Sequence, residues 1–134
     1  MLRLEVVALY AGVNILILLV LAVLVMMGRR KHKIVLGDGA NEDFNRAVRA
    51  HANAAEYIPA GLIGLVLLAL LDPAVPLWLL HVAGLSLTAG RIFHGIGLHT
   101  GMLNAGRMLG MVLTWLSLLL IAGGLLYAGF AQQL

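Results

Sequence analysis

The chain has 134 residues, enough for one compact domain; 62% of them are hydrophobic, 11% are charged, and the net charge is +3. A water-soluble domain carries about 25% charge, so an ordinary soluble fold is excluded and lipid becomes the default solvent. The absence of cysteine excludes disulfides and thiolate ligands. The basic excess is bunched in one loop without stacking aromatics, which argues against a nucleic-acid partner.

A hydrocarbon core of about 30 Å takes roughly 20 apolar residues in a helix. Residues 6–28 carry no charge and meet that length. The basic cluster Arg29, Arg30, Lys31 and Lys33 follows this run, whereas a cleaved signal peptide has its basic residues in front. The run is therefore read as a retained first helix, spanning about 4–29. The glycine-rich stretch Leu36-Gly37-Asp38-Gly39-Ala40-Asn41 is a turn, and Asn41 is suited to cap the next helix. That second helix covers about 42–71, apolar only in its later half, and Asp72-Pro73 stops it because proline cannot continue the backbone ladder. A third helix covers about 75–98. A fourth covers about 105–130 and has no charge after Arg107.

Continuous apolarity without alternation excludes a membrane barrel. The expected fold is an all-α membrane protein, a single-domain bundle of four transmembrane helices. The positive-inside rule places the basic loop in the cytoplasm and both termini on the other side, with Arg3 pulling weakly the other way.

Charge within such helices is the informative feature. Arg46, Arg49, Asn53 and Glu56 are spaced by three, four and three residues, so they share a helical face. The second helix is about 45 Å long at 1.5 Å per residue, so its first turns protrude and Asn53 and Glu56 enter the hydrocarbon. Arg91 and His94 lie one turn apart near the end of the third helix, and Arg107 opens the fourth. Topology brings all of them to one leaflet. Ionisable groups there are costly and usually mark function. Arginines could grip carboxylates in bidentate fashion, and Glu56 could hold an ammonium or orient an arginine. A guanidinium beside a thiol would favour the reactive thiolate. The cluster thus suits a small anion bearing an ammonium group.

Plainer roles stand beside this one. Arg46 and Arg49 can snorkel to phosphates, Glu56 can form a structural ion pair, and Arg107 can anchor topology. His51 points away from the charged stripe, and His81 reads as structural. His94 and His99 are five residues apart, which disfavours a metal site. Tyr10 and Asn14 have the spacing of an interhelical hydrogen-bonding pair, and Gly97/Gly101 and Gly106/Gly110 fit close helix contact. A sensor that binds its anion without chemistry, an ion-coupled carrier and a structural subunit are the rival functions. The nearly uncharged outer half of the bundle speaks against the carrier.

The run Arg46-Ala47-Val48-Arg49-Ala50-His51-Ala52-Asn53-Ala54-Ala55-Glu56-Tyr57-Ile58-Pro59 resembles the second-helix signature of the MAPEG family, the membrane-associated proteins in eicosanoid and glutathione metabolism. The preceding glycine-rich turn looks like the loop of its bacterial branch. Gly90-Arg91-Ile92-Phe93-His94 and Arg107 match the later elements in order and spacing. The resemblance implies a homotrimer in a bacterial inner membrane, with glutathione as co-substrate between subunits at the cytoplasmic side. It implies a transferase or peroxidase acting on lipophilic electrophiles or lipid hydroperoxides. Arg46, Arg49, His51, Asn53, Glu56, Arg91 and His94, with Arg30 more loosely, would contact glutathione, and Arg107 would stabilise its thiolate as the catalytic residue. Leu98 and Met108 depart from the tyrosine and serine of some eukaryotic members, which puts prostaglandin isomerisation in doubt.

Overall fold

The structure, a computed structural model, describes residues 2–71, 75–100 and 104–131. They form four helices: α1 (Leu2–His32), α2 (Glu42–Leu70), α3 (Leu77–Thr100) and α4 (Ala105–Ala131). Three of them, α1, α2 and α4, are long and apolar enough to cross a membrane. The proposed stop at Asp72-Pro73 and the glycine at 101 lie outside the described residues.

α1 runs past its expected end at 29 and takes in Arg29, Arg30, Lys31 and His32. Basic side chains favour the last turn, where the helix dipole is negative. Arg29 then folds the following loop. Its guanidinium donates to the carbonyls of Val35 at 3.1 Å and Gly37 at 3.2 Å, and lies 5.5 Å from the centre of the Phe44 ring. The turn expected at 36–41 is present, with Gly37 and Gly39 at positive φ. Asn41 caps α2 as expected, its side-chain oxygen accepting from the Phe44 amide at 2.9 Å.

The bundle has two apolar cores. At the end away from the α1–α2 loop Leu65, Leu68, Leu80, Leu87 and Ile121 pack into a layer of large aliphatic side chains. At the loop end the core is smaller and built from Leu21, Ala50, Ala54, Ile58 and Leu98. A buried polar belt of Asn14, Thr88, Arg91, Thr114 and Ser117 crosses the bundle as well. Asn14 donates to Thr88 Oγ1 at 2.8 Å, and Tyr10 hydrogen-bonds His81 Nδ1 at 3.1 Å, so both residues of the expected pair join α1 to α3. Trp78, Trp115 and Tyr127 face outward.

α3 and α4 approach most closely. A Cβ built on Gly110 would lie 2.7 Å from the carbonyl oxygen of Gly90, and one built on Gly90 would lie 2.9 Å from that of Gly110. Gly97 meets the backbone of Arg107 in the same way, and Gly106 lies against Gly97, so the expected Gly106/Gly110 pair is at the helix contact and Gly97 faces it.

Candidate functional site

The ends of α1 and α3 and the starts of α2 and α4 meet at one pole of the bundle, and Arg91 sits just inside it. Its side chain is only 2% exposed. Nε donates to Thr114 Oγ1 at 3.1 Å, Nη2 to the same oxygen at 2.5 Å, and Nη1 to Asn53 Oδ1 at 2.6 Å. Nη2 also lies 3.8 Å from Met111 Sδ, and the Tyr57 ring stands 5.2 Å below the guanidinium. Arg91 therefore ties α3 to α2 and α4 at once. No carboxylate meets it among the described residues, and its cation rests on neutral oxygens and a π face.

This arrangement sets aside one of the roles open to Glu56, the structural ion pair. An ion pair between Glu56 and an arginine of the next helix is not formed; Asn53 takes that place. Glu56 and Arg49 are exposed on the outer side of α2. The reason lies in the helical face. α2 buries Phe44, Ala50, Ala54, Ile58, Gly61 and Leu65, which occupy the opposite side from positions 49 and 56. The charged cluster is thus split. Arg91 and His94 are enclosed, the latter 3% exposed, while Arg49, Glu56 and Arg30 are exposed on the surface of the chain. Asn53 and His51 are half-buried between them.

Arg46 belongs to a different group. Its guanidinium pairs with Asp43 one turn back, a partly exposed i, i+3 contact of small energetic weight. With Lys31 and His32 of α1 it lines a separate recess between α1 and α2. Arg107 stands half-buried in the first turn of α4. The side-chain oxygen of Asn104 accepts from the Arg107 amide at 2.9 Å, and its amide donates to Thr100 Oγ1 at 2.9 Å. Asn104 is thus the cap that places Arg107 against the end of α3. Beside Arg107 an apolar recess of about 240 Å³ is lined by Met108, Met111, Val112 and Trp115.

Sequence reasoning did not single out Thr114, Met111 or Asn104, and it named Tyr57 only within the motif. Signals existed for two of them. Asn104 precedes the fourth helix at a capping position, and Thr114 lies seven residues, two turns, after Arg107 on the same helical face.

Comparison with known proteins finds a family and relatives for this chain. The profile of the MAPEG family matches residues 7–127. The inner membrane protein YecN of Escherichia coli strain K12 is 36% identical over 115 residues, 85% of either chain. YecN of E. coli O6:H1 strain CFT073 is similar to the same extent.

Proposed function

Since the chain belongs to the MAPEG family, membrane-associated proteins in eicosanoid and glutathione metabolism, we propose that it is a glutathione-dependent integral membrane enzyme. It conjugates glutathione to lipophilic electrophiles or reduces lipid hydroperoxides. The observation that carries this reading is the Asn53 station. Arg91 fixes its oxygen from within, while Arg49 and Glu56, one turn away on either side, project outward with no partner among the described residues.

All four helices cross the membrane in this reading. α3 rises about 36 Å at 1.5 Å per residue, matching the hydrocarbon thickness, and it packs against the other three. The location is an inner membrane, as the name of the E. coli relative has it for that protein. The basic α1–α2 loop lies in the cytoplasm and both termini lie opposite. Charged Arg49 and Glu56 are costly on a lipid-facing surface, which supports a homotrimer in which a second subunit covers them and completes the site.

Arg49 then takes a carboxylate of the peptide, Glu56 its ammonium, and the Asn53 amide a backbone group. Arg91 positions Asn53 and Tyr57. Arg107 favours the thiolate, so the sulfhydryl proton passes to water before attack. The sulfur lone pair forms the new S–C bond while the leaving group departs with its electron pair. The electrophile enters from lipid along the apolar recess beside Arg107. Positioning and thiolate stabilisation supply the rate.

The test is equilibrium glutathione binding and single-turnover conjugation by the detergent-purified oligomer. Wild type binds saturably, and Arg49→Ala weakens binding about tenfold or more, the loss of one charge-assisted contact. Arg107→Ala retains binding and loses thiolate absorbance and conjugation rate. No binding at several millimolar by a folded oligomer overturns the proposal.

A further inference from the structure

One face of α1 lines two openings in succession. The first is an apolar groove of about 420 Å³ between α1 and α3, walled by Val13, Ile17, Val20, Leu24, Gly95 and Ile96 among others. The second is the recess between α1 and α2, about 490 Å³, where Leu24 and Met27 form an apolar floor and Lys31, His32 and Arg46 a polar rim. Leu24 belongs to both. Positions 13, 17, 20, 24, 27 and 31 advance by three or four residues, so they form a single stripe along the helix.

The dimensions of that stripe are those of one lipid leaflet. From Val13 to Leu24 is about 16 Å at 1.5 Å per residue, half of a hydrocarbon core of about 30 Å. A further 10 Å or so along α1 reaches Lys31, at the depth where headgroups begin. The α1 side of the stripe changes from apolar to basic over the same interval, and Arg91 and Thr100 are the polar residues on the α3 wall of the groove.

Charge selects the headgroup. Asp43 offsets Arg46 in the recess, and His32 is engaged with Asn41 at 3.2 Å. Lys31 is exposed and has no acidic partner among the described residues. Arg30 and Lys33 are exposed but do not line the recess, and Arg29 is committed to the loop carbonyls, so the recess carries two basic side chains, Lys31 and Arg46, against one carboxylate, Asp43. The recess is therefore net cationic, which favours an anionic lipid over a zwitterionic one.

We propose that this stripe holds an anionic phospholipid of the loop-side leaflet, one acyl chain in the α1–α3 groove and the phosphate at Lys31. The inference requires only that the bundle sits in a bilayer and does not depend on glutathione chemistry.

The experiment incubates the detergent-purified full chain with equimolar phosphatidylglycerol and phosphatidylcholine, removes free lipid, and counts retained lipid by native mass spectrometry. Oligomeric state is read from the same spectra. Wild type retains phosphatidylglycerol over phosphatidylcholine. Lys31→Gln, a surface change that leaves the fold intact, cuts that preference about fivefold, the effect of one basic residue at a headgroup. Gly95→Leu blocks the groove and lowers retention of phosphatidylglycerol; its first added carbon meets only Leu21, at an ordinary 3.7 Å. Equal retention of the two lipids overturns the proposal, as does a preference that Lys31→Gln leaves unchanged. Loss of oligomer in Gly95→Leu without specific lipid retention by wild type also overturns it and assigns the groove to a second copy of the chain.

Discussion

Replacing Gly110 by alanine puts a methyl group where α3 and α4 meet backbone to backbone. That carbon would stand 2.7 Å from the Gly90 carbonyl oxygen and 2.7 Å from the His94 Cα, so no rotamer change relieves it. Ordinary contact begins at 3.4 Å, and the helices must part by at least about 0.7 Å. The Arg91 Nε bond to Thr114 crosses this seam at 3.1 Å and would stretch beyond hydrogen-bonding range. Overpacking of this kind costs about 1–3 kcal/mol, and the Nη2 bond to the same oxygen, at 2.5 Å, stays within range and limits what the Nε bond adds. Gly123→Ala, on the same helix, is the control. Nothing lies within 4 Å of its added carbon, so only helix propensity changes and stability rises by about 0.5–1 kcal/mol. Unfolding in mixed micelles with graded denaturing detergent measures both. The expected result is opposite signs, with Gly110→Ala destabilised. Equal effects of one sign would refute the reasoning, because they would mean that glycine content, and not close approach, governs this helix pair.

Two further outcomes follow from the same contacts. Arg91→Lys keeps the charge and loses the fork that serves Asn53 and Thr114 together, so it lowers stability by about 2–4 kcal/mol in the same unfolding assay; wild-type stability would show that charge alone suffices. Asn41→Ala removes the cap of α2 and costs about 1 kcal/mol, with faster amide exchange at Phe44 as the local signature.

The sequence by itself determined the helices, because in lipid the backbone must satisfy its own polar groups and an apolar run has no other spanning form. It determined the α2 cap at Asn41 and the Tyr10 and Asn14 contacts, since a lone polar group on an apolar helix must find a partner across the bundle. It also carried the family signature from Arg46 to Pro59. It did not determine which face of a helix is inside. α1 is apolar almost all round, so periodicity marks no buried side, and its groove emerges only from the way α3 lies against it. Arg49 and Glu56 share a stripe with Asn53, yet they lie outside while Asn53 meets Arg91, because the alanines at 50 and 54 set the contact face of α2. The enclosure of Arg91 was likewise a tertiary decision. Its partners come from residues 38 positions before it and 23 after it, and only the glycine-mediated approach of α3 to α4 brings Thr114 within reach.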